Sequence, residues 1–401
     1  MYSSYEELME FIEGEDIRFI RLAFVDIAGF QKNISILPSE LKRAFEDGIA
    51  FDASSIKGFG DELYSDLLLK PMPQTIEILP WRPSEGRVAR MFCHIYRPNG
   101  EPFELDSRLL LENAVREAKK NGVKFYFGSE FEFYLFKCDE DGNPTDIPFD
   151  NAGYMDIAPK DKGEDIRREI CLTLLDMNII PETSHHEMGP GQNEIDFKYS
   201  GALSSADNGV TFKSVVSTIS NINGLYADFS PKPLPDKSGS GLHINMSVRS
   251  NDGTDYSRNM LAGILRHVRE MTAFLNPCED SYKRFGKEKA PKYVSWSHEN
   301  RSQLIRIPAA KGEYKRLELR SPDPTVNLYV AYTLLIYAAL EGIKDNIEPP
   351  EPINVNLFSA DKELTDTLEA LPSSYEEALD IARKSEFIKK YLPGGYFRSS
   401  L

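Results

Sequence analysis

A chain of 401 residues with 41% hydrophobic and 27% charged residues has the makeup of a globular protein with room for two domains, not of a disordered or fibrous one. Its formal net charge of -16, with basic runs short and scattered, argues against nucleic acid, whose binding needs a concentrated cationic face. The longest apolar run, VAYTLLIYAAL at 330–340, is too short to span a bilayer and reads as a buried helix, so no membrane partner is expected.

The opening MYSSYEELMEFIEGED is acidic and lacks the basic-then-apolar pattern of a signal peptide. Within it, YEELMEFIEG (5–14) predicts a short amphipathic helix with a glycine stop. IRFIRLAFVDIAG then alternates as a strand, and SELKRAFEDG (39–48) predicts a helix capped by its serine. TIEILPWRP and VARMFCHIYRPNG follow as strands, so the first hundred residues read as a small mixed sheet. DSRLLLENAVREAKKNG (106–122) opens a second section as a well-capped helix. Strands are expected to dominate from there to about residue 250, with DEDGNPTDIP (139–148) a polar loop between them and long helices to the end. Cys93, Cys138, Cys171 and Cys278 are widely spaced and form no CxxC pair, which fits free thiols in a reducing cytoplasm.

FGSEFEFYLF (127–136) places Glu130 and Glu132 two apart in an apolar strand, hence on one face, with Ser129, Phe131 and Phe133 on the other. Like charges side by side repel unless something positive lies between them, so the segment reads as a metal site or as a solvated edge strand. HHEMGPGQNEIDF (185–197) carries Glu187 before a Gly-Pro-Gly break and Glu194 after it, a turn that lets both acids reach one point. A carboxylate cluster of this kind suits magnesium or manganese rather than zinc. In KSGSGLHINMS (237–247) glycines admit a ligand close to the backbone, and a following strand puts His243, Asn245 and Ser247 on one face. In YKRLELRSPDP (314–324) Arg316, Glu318 and Arg320 share a strand face, with Arg301 and Arg306 supplied nearby by ENRSQLIRIP. Arginines flanking a glutamate suit a cation together with phosphate or carboxylate groups. Acids, one histidine and arginines from several strands suggest a metal- and ATP-dependent phosphoryl transfer, without a P-loop or a protein-kinase signature.

Six segments, FDASSIKGF (51–59), GSEFEFYLF, SHHEMGPGQNEIDF, KPLPDKSGSGLHINMS, NRSQLIRIP and RLELRSPDP, occur in an order and spacing that resembles type I glutamine synthetase. The resemblance runs from about residue 15 to about residue 345. It implies an α+β fold: a small N-terminal β-grasp domain (1–102) and a larger catalytic domain (103–401) whose curved antiparallel sheet lines the active site. It implies ATP-dependent ligation of ammonia to glutamate through a γ-glutamyl phosphate. The implied metal ligands, for magnesium or manganese, are Glu130, Glu132, Glu187, Glu194, His243 and Glu318. Gly239, Gly241, Arg284, Arg306 and Arg320 would face substrate, Asn245, Ser247 and Arg316 the ATP, and Asp52, Glu288 and Arg301 the chemistry. Asp52 would be supplied across a subunit boundary in a homo-oligomer built from rings of six, single or stacked.

Five departures from the family pattern stand out. In RFGKEKAPKY (284–293) Lys289 stands where the family has the lid glutamate, with Glu288 one residue earlier. Lysine would repel ammonium and is a poor base at neutral pH, so Glu288 is the expected substitute. Ser238 replaces an asparagine, Ala53 a glycine, and Phe358 a tyrosine that related enzymes modify. The chain ends at YLPGGYFRSSL, without the family's segment that straps one ring to another. An altered lid beside intact phosphoryl machinery leaves two alternatives open: another amine as acceptor, or a catalytically impaired regulatory relative.

Overall fold

The computed structural model describes residues 5–60 and 63–398; Met1–Ser4 of the opening segment and the last three residues lie outside it. The first section forms α1 (Tyr5–Gly14), β1 (Ile17–Val25), β2 (Gln31–Ile36), α2 (Leu41–Glu46), β3 (Ile49–Asp52), β4 (Asp66–Pro71), β5 (Glu77–Ile78) and β6 (Arg87–Tyr96). These strands make one sheet in the order β2-β1-β6-β4-β3, with β1 and β6 parallel and β5 attached to β6. The mixed sheet is as expected, but TIEILPWRP contributes only the two residues of β5. Ser39 lies inside a 3₁₀ turn at Pro38–Glu40 and does not cap α2.

The second section runs α3 (Ser107–Lys120), β7 (Val123–Cys138), β8 (Pro144–Pro148), α4 (Glu164–Asp176), β9 (Pro181–His186), β10 (Gln192–Phe197), β11 (Ser200–Gly201), α5 (Ala202–Ile222), β12 (Leu225–Asp228) and β13 (Leu242–Ser250). It ends with α6 (Ser257–Leu275), α7 (Glu279–Tyr282), β14 (Trp296–His298), β15 (Ile305–Ile307), β16 (Leu317–Leu319), α8 (Leu328–Lys344), α9 (Lys362–Thr365), α10 (Tyr375–Lys384) and α11 (Glu386–Tyr391). Its sheet has the order β14-β15-β16-β13-β7-β10-β9, antiparallel except for the parallel pair β14–β15. The expectation that strands dominate to residue 250 is corrected by α4 and the 21-residue α5.

Strand β7 is the spine of this sheet, pairing with β13, β10, β8, β11 and β12 along its 16 residues. One of its faces is core: Phe127, Phe131 and Phe133 are fully buried, with Phe131 stacked on Phe212 of α5 and Phe127 on Tyr332 of α8. The other face is left for chemistry. Helix α8 starts where the Asn327 side chain accepts from the amides of Tyr329 and Val330. The same amide group donates to the carbonyls of Asp26 and Ile27 in the N-terminal section, each at 3.3 Å. Gly29 packs so close to Asn327 that a Cβ there would lie 2.9 Å from its Cα. The four cysteines are free, and no helix among the described residues is long and apolar enough to cross a membrane.

Candidate active site

A cavity of about 450 Å³ opens on the polar face of β7, walled by β9, β10, β13, β15, the two arginines that flank β16 and the 284–290 loop. The period-two argument for β7 holds: Glu130 and Glu132 line the cavity while Ser129, Phe131 and Phe133 are buried behind it. Antiparallel pairing sets Glu132 opposite Glu194 of β10, and Glu130 opposite both Asp196 of β10 and His243 of β13. His243 Nδ1 lies 3.1 Å from Glu130 and 3.5 Å from Glu318.

The acids fall into two electrostatic groups. Burial opposes ionisation of Glu130, yet hydrogen bonds from His243 and Asn245 hold it well below the usual carboxylate range. Glu318 is fully buried and is likewise held down despite its burial, by His243, Arg320 and Arg306. Its carboxylate accepts from Arg306 and, at 2.5 Å, from Arg320. Glu132, Glu194 and Asp196 behave oppositely. Burial raises all three; Glu187 adds to the rise at Glu132, its neighbours Glu132 and Asp196 to that at Glu194, and Glu130 to that at Asp196.

Such mutual repulsion among buried acids is what a hard divalent cation relieves. Ligand atoms of Glu130, His243 and Glu318 lie within 4.8 Å of one another, as do those of Glu132, Glu194 and His243, and those of His185, Glu187 and Glu194. Five of the six expected metal ligands therefore line one cavity in overlapping clusters, with the fully buried Glu318 behind them in the cluster of Glu130 and His243, and their oxygen-rich donor set fits magnesium or manganese.

Glu187 stands at the end of β9, where its segment is fixed by His186. That imidazole is buried and donates from Nδ1 to the Glu187 carbonyl at 2.7 Å and from Nε2 to Asp150 at 2.9 Å. Burial works against the imidazolium, but the Asp150 carboxylate holds its pKa up.

Arginines form the facing wall: Arg284, Arg301, Arg306, Arg316 and Arg320 all line the cavity. Arg284 is buried and donates to the carbonyls of Ser321 and Pro322, so it also fixes the strand end beyond Arg320. Arg316 donates to Asn245 at 2.7 Å, and Asn245 to Glu130 at 2.7 Å. Asn245, Ser247 and Arg316 continue into a second cavity of about 160 Å³ that shares Glu130 with the first and has Tyr126 and Tyr199 in its walls. Gly241 donates to Glu132 at 2.9 Å. At Gly239 a Cβ would lie 2.5 Å from the Pro231 carbonyl oxygen and 2.8 Å from Arg284, so only glycine fits. Gly239→Ala is expected to lower kcat/KM for the amino-acid substrate by about tenfold with the fold intact. Steady-state kinetics with circular dichroism checks this, and an unchanged kcat/KM refutes it.

Asp52 does not line either cavity. It sits exposed at the end of β3, where the Ser54 hydroxyl and amide hold it below the usual carboxylate range. Glu288 and Lys289 both line the main cavity. The cavity also includes Tyr154, Gln192, Asp196 and Lys287, which sequence reasoning did not single out. Gln192 and Asp196 flank Glu194 at spacing two, so the alternation that found Glu132 would have found them. Tyr154 lies in a loop with no periodicity to betray it.

The comparisons agree with this geometry. Residues 16–98 match the model for "Glutamine synthetase, beta-Grasp domain", and residues 104–399 that for "Glutamine synthetase, catalytic domain". The chain belongs to the glutamine synthetase family. It is 46% identical to the glutamine synthetase of Methanosarcina mazei, over 96% of this chain and 90% of that one. It is 42% identical to that of Clostridium saccharobutylicum, over 96% and 91%. Among solved structures, GmaS in its ADP complex superposes with a TM-score of 0.88 at 26% identity, covering 98% of this chain and 94% of that one. The α+β fold and its curled catalytic sheet are those of the glutamine synthetase family.

Proposed function

We propose that this glutamine synthetase family member joins ammonia to the γ-carboxylate of glutamate, using ATP and passing through a γ-glutamyl phosphate. One observation carries the reading: a single cavity holds a carboxylate–histidine cluster fit for divalent cations against a wall of arginines fit for anions, with Glu318 tying the two together. Curated relatives at 41–46% identity carry the name glutamine synthetase, which supports the same activity.

Glu130, Glu132, Glu187, Glu194, His243 and Glu318 would hold magnesium or manganese, which when bound offsets charge on the anionic reactants and on the transferring phosphoryl group. The other steps fall to the chain. Arg306 and Arg320, kept in place by Glu318, would hold glutamate's carboxylates with Arg284 and the open backbone at Gly239 and Gly241. Arg316, Asn245 and Ser247, at the junction with the second cavity, would orient ATP, and Arg301 would stabilise charge on the transferred group. Glu288 in the 284–290 loop and Asp52 of a neighbouring copy are the groups assigned to the ammonium proton. Placing Asp52 there requires a homo-oligomer, for which the family's ring of six is the natural form. A cytoplasmic enzyme with two domains, 1–102 and 103–401, completes the reading.

The test is phosphate release from ATP with magnesium and glutamate, with and without ammonium, alongside glutamine assayed directly. Ammonium-dependent release matched by glutamine is expected. Release that ignores glutamate, or none at all, overturns the reading.

A further inference from the structure

Strands β7 and β13 lead away from the metal-ligand cluster in steps of two residues. Their register sets His243 opposite Glu130, Asn245 opposite Gly128 and Ser247 opposite Tyr126, and alternation keeps these pairs on the face that holds the cavities. At about 3.4 Å per residue, the pair Tyr126–Ser247 lies about 14 Å along the sheet from Glu130 and His243. That is comparable with an extended nucleoside triphosphate from its terminal phosphate to its base. The middle step is left open: Gly128 has no side chain, and a Cβ there would lie 3.3 Å from that of Tyr199.

The far end of the second cavity is a corner of aromatic rings. Tyr126 and Tyr199 meet edge to face, with centroids 6.0 Å apart and planes at 90°, and Tyr314 meets Tyr199 in the same way at 6.5 Å. Arg249, the next residue of β13 on that face, stands behind the corner and outside the cavity. Its guanidinium carbon lies 4.6 Å from the ring centre of Tyr126 and 5.8 Å from that of Tyr199. One of its terminal nitrogens also donates to the Tyr199 hydroxyl at 3.0 Å. One exposed side chain thus grips two rings at once, from the side that a ligand does not use. The faces turned into the cavity stay free for a flat partner.

We propose that Arg249 is a positioning residue for the nucleotide, holding Tyr126 and Tyr199 from outside the cavity as a fixed corner against which the base of ATP packs. The proposal rests on the reading given above that the second cavity takes ATP, and it adds the group that keeps that cavity in shape. Arg249 touches neither phosphate nor metal ligand, so its loss leaves the chemistry alone. What it removes is the order of two rings before the base arrives, and that order would otherwise have to be imposed at the moment of binding.

The experiment compares the natural protein with Arg249→Gln, which removes the charge, and Arg249→Lys, which keeps a cation without the planar fork. In Arg249→Gln the KM for ATP should rise about threefold, the worth of an exposed cation–π contact, with kcat and the KM for glutamate changed by less than about twofold. Arg249→Lys should recover part of the loss. An unchanged KM for ATP, or an equal rise for glutamate, overturns the proposal. A second arm needs no turnover: calorimetric titration with magnesium ATP and with magnesium tripolyphosphate, which has the phosphates but no base. Arg249→Gln should bind ATP about threefold more weakly and treat tripolyphosphate as the natural protein does. Equal weakening of both would mean that Arg249 merely attracts polyanions, and it overturns the proposal, as does an unchanged ATP affinity. Absence of glutamate-dependent turnover in every variant would count against the ligase reading, and the calorimetry would still decide the role of Arg249.

Discussion

Replacing Glu318 by alanine should destabilise the protein by about 3–5 kcal/mol and abolish turnover, the largest effect expected of any single carboxylate in the site. The reason is its position rather than its charge alone. Glu318 is fully buried in the three-residue strand β16, and it accepts from Arg306 and Arg320 while facing His243. Arg320 is itself buried, so truncation leaves a poorly hydrated guanidinium without its carboxylate. Glu318→Gln keeps the volume and should recover part of the stability but not the activity, because a neutral amide neither balances two arginines nor serves a divalent cation. Denaturant midpoints together with phosphate release test this. An alanine variant within about 1 kcal/mol of the natural protein would show that the pair is not the brace described here.

The second large effect is a cation response that grows with pH. Glu132, Glu194 and Asp196 have folded-state pKa values raised by burial and by neighbouring carboxylates. A raised carboxyl keeps its proton in the folded protein after the unfolded chain has released its own. Its contribution to stability is therefore full below the ordinary carboxylate range and is lost as pH climbs towards the folded value. Glu130 and Glu318, held low, have the opposite sign: they stabilise above the ordinary range and lose that contribution only in acid. Between mild acid and mild base the first group dominates, so the cation-free protein should lose stability as pH rises. Magnesium binding displaces those protons and should restore it. Thermal unfolding in chelator and in magnesium, at about pH 6 and about pH 8.5, should show a clearly larger magnesium shift at the higher pH. Equal shifts at both would mean the raised acids do not bind the cation.

How much of this was open to reading from the chain alone depends on whether a residue sits in a regular element. Glu130 and Glu132 were legible because a strand repeats every two residues and the intervening phenylalanines announce a core. Helix α5 was not: its buried face recurs at helical spacing but is filled in part by Ser205, Gly209, Thr211 and Ser220, so the stripe is not written in apolar residues. The arginine wall was recognisable from Arg316, Glu318 and Arg320 at spacing two. Its closure onto β15 depends on a pairing between distant segments, which sets Arg306 beside Glu318. The loop at 284–290 defeats local reasoning altogether. Glu-Lys is a poor sequence for a turn with two left-handed residues, and only tertiary partners, Lys232 on one side and Tyr154 on the other, explain why the chain takes that shape.

The Asn327 side chain performs two tasks with one amide group, opening α8 and gripping the backbone of the N-terminal section at Asp26 and Ile27. Because Gly29 is pressed against the same residue, the grip has no slack. Severing the polypeptide near residue 102 would therefore not release two self-sufficient modules. The larger fragment would carry a helix that backs the catalytic sheet but whose first turn has lost its anchor, and the smaller would expose the face that fitted it. Split or domain-swapped versions of this protein should recover function only when the two fragments meet again, which makes residue 327 the natural place to look for fragment complementation.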